Sequence, residues 1–217
     1  MKIQRIIKKN KELFQKDIKT VDSRRKEWDA FSKRAIIFFN NVISEFEKDQ
    51  FFDKLYIDEG KFPFIERKNQ NTIGLRFGSH PTGISITQYS PPDGEISSRN
   101  TDIEKGGSLL YSQAPNGQVA CLIYACESEF IKPKNKYFIF KRYKNPKHID
   151  ESELAKGTKV FFWYSRISSF VTNFSIWDTF KLDFFKIRLF TSKPDWNAVF
   201  GVIGAIAALF SILSFLV

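Results

Sequence analysis

The residues whose types and spacing could do chemistry are lysines, arginines and aromatics, and that chemistry is the capture of an anion. A first cluster holds Lys8, Lys9, Lys11, Lys16, Lys19, Arg24, Arg25, Lys26, Lys33 and Arg34. A second runs through Lys132, Lys134, Lys136, Lys141, Arg142, Lys144 and Lys147, with no acidic residue from Phe130 to His148. There the cations interleave with Tyr137, Phe138, Phe140 and Tyr143. Cations neutralise phosphates, and aromatic rings give stacking surfaces for bases. The candidate anion-binding residues are therefore Lys8, Lys9, Lys11, Arg24, Arg25, Lys132, Lys134, Lys136, Lys141, Arg142, Tyr137 and Tyr143. A solvated charged face and attraction to anionic lipid headgroups compete with this reading.

Catalytic signatures are missing, so no enzyme activity, catalytic residue, metal or cofactor is expected. The sequence contains no P-loop, GxGxxG, GxSxG, HExxH or CxxC. Gly106-Gly107-Ser108 could cradle a phosphate, although paired glycines before a strand are more often a turn or bulge. Ser112 with His80 or His148 would make a nucleophile pair that no spacing supports. Asp93, Glu95, Asp102 and Glu104 lack the regular spacing of a calcium loop and read as a solvated acidic loop. Cys121 and Cys126 are five apart in one expected strand and so on opposite faces, which argues against a disulfide and for a reducing compartment.

The elements that must position these residues follow from periodicity. Residues 3 to 55 read as helical, since Trp28, Phe31, Ala35, Phe38, Val42 and Phe46 recur at three- and four-residue steps. Ile6, Phe14, Ile18 and Val21 make a thinner stripe upstream. The segment is one helix, or two with a break near Asp22-Ser23. Its first half is polar on most sides and needs a partner chain, a ligand or the domain surface. From Gly60 short β-type runs alternate with turns: Thr72–Phe77, Gly83–Tyr89, Ser108–Gln113, Val119–Cys126, Lys136–Tyr143 and Lys159–Tyr164. Ser90 to Gly107 reads as a polar loop. Asn116-Gly117 between apolar runs is the best hairpin signal, and the twice-apolar Val119–Cys126 reads as a central strand. Arg166 to Thr191 is ambiguous between helix and strand.

The expected fold class is α+β: an N-terminal helical region packed on a mainly antiparallel sheet of five to seven strands, followed by one C-terminal transmembrane helix. The expected divisions are a basic helical region (1–58), a mainly β cytosolic domain (59–165), an aromatic membrane-proximal connector (166–195) and the transmembrane helix (196–217).

That last helix is expected because Asn197–Val217 carries no charge over 21 residues. At about 1.5 Å per residue it reaches roughly 32 Å, close to a bilayer's hydrocarbon core. Asn197, Gly201, Gly204, Ala208 and Ser211 fall on one narrow stripe, with Phe215 returning to it near the far end. Small residues let helices approach closely, so the stripe is expected to meet other copies, by tight packing or around a pore.

The net charge is +10, of which residues 1–34 supply +7 through twelve Lys/Arg against five Asp/Glu. Lys181, Lys186, Arg188 and Lys193 precede the apolar run. The positive-inside rule then expects a single-pass protein of the inner (cytoplasmic) membrane with its bulk in the cytoplasm.

In its architecture, and in the core GGSLLYSQAPNGQVACLIYACESE at Gly106–Glu129, the chain resembles bacterial membrane effectors of antiviral defence, of the Hailong ion-channel type. The resemblance implies a homo-oligomer, with a tetramer favoured. It also implies a pore held shut by a nucleotide product, an oligodeoxyadenylate, of a partner nucleotidyltransferase. The leading expectation is thus a self-associating, ligand-gated channel or pore with a basic domain that senses a nucleotide or oligonucleotide. The alternative is a non-conducting tail-anchored adaptor that displays a protein- or nucleic-acid-binding module at the bilayer.

Overall fold

One helix, α1 (Lys2–Lys48), runs without a break through Asp22-Ser23. The computed structural model describes residues 2–49, 54–59, 71–90, 95–130, 132–133, 136–170, 172, 175–178 and 180–183. The apolar stripe of α1 is buried only in its second half, where Trp28, Phe31, Ala35 and Phe39 are buried and Phe38, Val42 and Phe46 are half-buried. Helix geometry gives way earlier than expected, because Leu55–Asp58 forms strand β1 rather than a helix end. Leu55 is buried opposite Phe77, so this short strand belongs to the sheet and not to the helical region.

The other strands are β2 (Thr72–Phe77), β3 (Ser79–Ser90), β4 (Glu95–Lys105), β5 (Ser108–Gln113), β6 (Val119–Tyr124) and β7 (Tyr137–Tyr143). A five-stranded antiparallel sheet has the order β1-β2-β5-β6-β7. The architecture is therefore α+β, an N-terminal helix with an antiparallel sheet. The segment Ala114–Gly117 turns β5 into β6, with Gly117 at φ +77°, a left-handed value that favours glycine. On β6, Val119, Cys121 and Ile123 are buried while Ala120, Leu122 and Tyr124 are half-buried, so the apolar run has one fully covered face.

The expected polar loop is instead mostly strand. β3 and β4 form a separate two-stranded sheet inserted between β2 and β5. Hydropathy misleads here because the usual pattern is inverted: Asp102 and Glu104 are buried, whereas Ile103 between them is exposed. Partners make that burial tolerable. Asp102 accepts from the Thr82 hydroxyl at 3.0 Å and the Glu129 amide at 3.1 Å. Glu104 accepts from the Ser169 hydroxyl and the Phe170 amide, both at 2.8 Å. Neither acid is the solvated loop residue expected; Asp93 lies outside the described residues.

Lys159–Tyr164 is helical, not a strand. It sits inside α2 (Glu151–Ser168), whose Asp150 cap accepts from the Glu153 amide at 2.9 Å. Leu154, Thr158, Phe161, Tyr164, Ser165 and Ile167 are buried at helical spacing, and that packing overrides the β preference of VFFWY. Gly157 brings α2 close to the sheet, since a Cβ there would lie 2.5 Å from the Tyr111 hydroxyl. The two helices cover one face of the sheet. Aromatic pairs lock them down: Phe31 with Tyr111 at 5.6 Å, Phe77 with Phe161 at 5.0 Å and Phe138 with Tyr164 at 4.9 Å between ring centroids.

The chain divides into two units, Met1–Phe174 and Ser175–Val217. Within the second, residues 176–178 and 180–183 are helical, and the Asp178 carboxylate accepts from the Ser175 amide and hydroxyl. Among the described residues no helix is long and apolar enough to cross a membrane. Asn197, Gly201, Gly204, Ala208, Ser211 and Phe215 lie outside the described residues.

Candidate functional site

Two basic segments far apart in sequence form one cleft of about 740 Å³. One wall is the α1 face carrying Lys16, Lys19, Ser23 and Arg24. The other is the segment after β7, with Lys144, Asn145, Lys147 and His148. Gln15 and Thr20 add polar groups, and Glu12 is the one acid among the lining residues. Among the described residues, none of the five lysines and arginines in this lining forms an ion pair.

Local structure fixes both walls. The β5–β6 turn grips α1 beside Arg24: the Arg25 guanidinium donates to Pro115 O at 3.1 and 2.5 Å, and Gln113 Nε2 donates to Arg24 O at 3.2 Å. Gly117 fits beneath this contact, because a Cβ there would lie 2.5 Å from Arg24 Cβ. Opposite, Asn145 caps a 3₁₀ turn (Pro146–His148) by accepting from the Lys147 amide at 2.9 Å. Buried Pro146 anchors the turn, leaving Lys144, Lys147 and His148 exposed.

A concave surface with five unneutralised cations suits phosphate groups, and its volume falls in the range of small-ligand sites. His148 is the one aromatic ring among the lining residues, so the cleft suits a charged backbone better than a run of stacked bases.

Of the candidate residues read from the sequence, Arg24 lines the cleft. Lys8, Lys9 and Lys11 are exposed nearer the start of α1. Arg25 is committed to the turn. Lys132 is exposed, Lys136 lies 3.9 Å from Glu127, and Lys134 is outside the described residues. Lys141 and Tyr143 face the helices instead. Lys141 pairs with Glu153, and the Tyr143 hydroxyl donates to the same carboxylate at 2.9 Å. Tyr137 and Arg142 lie on the opposite, open face of the sheet. The second cluster is thus split by the strand's own alternation. Lys16, Lys19, Lys144 and Lys147 belong to the basic clusters but are not among those candidates, and His148 reads in the sequence only as an unsupported partner for Ser112. The i, i+3, i+7 spacing of Lys16, Lys19 and Ser23 was the available signal for one face.

The Glu153 group is structural. Hydrogen bonds from Lys141, then Lys156, and also Tyr143 hold its carboxyl down at about 2, against the opposing effect of burial. Burial pushes the Tyr143 phenol far up. It also raises the Cys121 thiol to about 12, which removes it as a nucleophile. Cys121 and Cys126 are free thiols. The Gly106 amide donates to Gly78 O at 2.9 Å and the Gly107 amide to Cys126 Sγ at 3.2 Å, so neither is offered to a phosphate. His80 Nε2 lies 3.2 Å from Glu104 Oε1, His148 lines the cleft, and Ser112 sits opposite Thr72 and Ala120 in the sheet. Among the described residues no group of three or more His, Cys, Asp or Glu could hold a metal ion.

Comparison with protein-family models, with curated proteins and with solved structures gives no match. One other surface merits the same reading. The open face of the five-stranded sheet presents exposed Tyr56, Arg76, Tyr137 and Arg142, with Tyr124 and Tyr137 5.3 Å apart at their ring centroids. Aromatics and arginines on an antiparallel sheet make a platform on which bases can stack.

Proposed function

We propose that the chain is a self-associating, single-span membrane effector whose domain senses a nucleotide or oligonucleotide. The observation that carries the sensing half is the cleft, where two segments more than a hundred residues apart bring together cations without acidic partners. Its unpaired charges repel one another in the free protein, and a polyanion relieves that repulsion. A bound phosphate backbone bridges Lys16 and Lys19 on α1 to Lys144 and Lys147 on the domain. It thereby sets the angle at which the first turns of α1 leave the sheet.

The membrane half rests on the charge-free Asn197–Val217 run and on the resemblance to Hailong-type effectors. In this reading the run is a transmembrane helix, and the Asn197–Ser211 stripe meets other copies. At least about four helices are needed to enclose a pore. Ligand shifts the assembly between closed and open only by binding the two states unequally. The ligand would come from a partner nucleotidyltransferase.

The experiment is ion flux through liposomes holding the purified full chain, with and without a short oligodeoxyadenylate. A ligand-dependent change in flux, abolished by Lys16→Glu with Lys147→Glu, is the expected result. A defined oligomer that never conducts under either condition removes the channel. The second reading then stands: a tail-anchored adaptor whose open sheet face, with its tyrosines and arginines, displays a nucleic-acid-binding surface at the bilayer.

A further inference from the structure

The two ends of α1 are complementary. At its start, Ile3, Ile6, Ile7, Phe14 and Ile18 lie on one side of the helix and are all more than half exposed. The same stretch, residues 2–20, carries seven Lys/Arg and two Asp/Glu. At its other end an apolar groove of about 570 Å³ runs between α1 and α2. Phe38, Val42, Phe46, Ala155 and Phe162 form its apolar lining, and Glu45, Asp49 and Glu151 give it an acidic rim. Lys48 engages Glu45 at 2.5 Å; Asp49 and Glu151 are exposed and make no ion pair among the described residues.

We propose that the start of α1 in one copy docks into the α1–α2 groove of a second copy, head to tail. The apolar stripe would fill the apolar groove, and the cations nearest its two edges, Lys9 and Lys11, would meet the acidic rim. The groove cannot take its own chain's segment. Ile18 and Phe38 are twenty residues apart on one unbroken helix, roughly 30 Å. Two such segments against each other would bring seven cations up to seven. A bilayer surface fits less well, because Asn10 and Asp17 sit within the apolar stripe and are costly to desolvate there. In the groove, Asn41 and Lys159 give them polar partners.

This inference rests on the self-association proposed above and gives it a geometry. A head-to-tail contact is heterologous: it closes into a ring when the rotation permits and otherwise grows. A ring built this way would gather the C-terminal runs, while the cleft sets the angle of the docking segment.

The test uses the full chain in detergent, with particle mass measured by light scattering. Lys9→Glu with Lys11→Glu, and separately Asp49→Lys with Glu151→Lys, should each lower the mass at least twofold without changing helix content. Mixing the two variants should restore the assembly, because each acidic segment then finds a basic groove and each basic segment an acidic one. In addition, Ile7→Cys with Ala155→Cys in one chain should give a ladder of disulfide-linked multimers, and Ile7→Cys alone should give none. Unchanged mass in both variants overturns the docking and leaves self-association through the membrane segment standing. A fall in mass for the groove variant only means that something else fills the groove, and overturns it too. Dimers from Ile7→Cys alone show segment meeting segment and also overturn it. A wild-type protein that is monomeric in detergent overturns both this inference and the proposed function.

Discussion

The two halves of α1 share one helix and one apolar periodicity but meet opposite fates. From Trp28 to Phe39 four apolar side chains are buried against the sheet; from Ile3 to Thr20 every residue is exposed. At 100° per residue, Ile3, Phe14 and Val21 fall on the same side as Trp28, Ala35 and Phe39. Periodicity therefore specified the helix along its whole length, and the sheet simply runs out beneath its first half. What remains uncovered is an apolar stripe with a basic opposite side. That difference marks the first half as a surface for other molecules and the second as core.

Truncating one large side chain in each half separates the two most clearly. Phe31→Ala should cost about 3–5 kcal/mol, because Phe31 is fully buried and its ring packs on Tyr111 and Trp28. Phe14→Ala should change stability by about 0.5 kcal/mol or less, since Phe14 is 68% exposed. Thermal or urea unfolding measures both. Equal losses would mean that the first half is covered by its own chain.

Glu153→Gln should come next, at roughly 2 kcal/mol, because it removes a carboxylate that serves Lys141, Lys156 and Tyr143 together. The sign with pH follows from a folded value of about 2 against an ordinary 4.5. A depressed carboxyl stabilises the fold above its unfolded value and loses that contribution as pH falls from about 4.5 towards 2. Unfolding followed across that window should show the gap between wild type and the variant closing. A gap that stays constant would place the effect elsewhere.

Gly117→Ala should have a smaller effect on stability, of order 1 kcal/mol, from its positive φ and the crowded Arg24 Cβ. Its greater effect should be on the cleft, because the turn holds α1 at Arg24. Weaker oligonucleotide binding with little loss of stability is the expected pattern, measured by fluorescence anisotropy beside a melt.

Legibility in the sequence followed the same physics. The long helix, the Asn116-Gly117 turn and the antiparallel sheet were readable because periodicity and turn chemistry are local. Three elements were not. Leu55–Asp58 is too short to signal itself. Lys159–Tyr164 has strand-like composition inside a helix whose start signal, Asp150-x-x-Glu153, lies well upstream. The β3–β4 hairpin hides because Asp102 and Glu104 point inward. The cleft was half legible: both basic clusters stood out, but strand alternation sends Lys141 and Arg142 to opposite faces. Their meeting through Lys16, Lys19, Lys144 and Lys147 depends on a tertiary contact that no local pattern encodes.

Whether the cleft is the anion site is decided by the salt dependence of oligonucleotide binding by the full chain, compared with Lys16→Ala plus Lys147→Ala. Loss of two phosphate contacts should weaken binding about tenfold or more at low salt. It should also flatten the slope of log affinity against log salt by roughly 1.4. Unchanged affinity and slope in that variant, with loss in Arg76→Ala plus Arg142→Ala, would remove the cleft as the site and move it to the open sheet face.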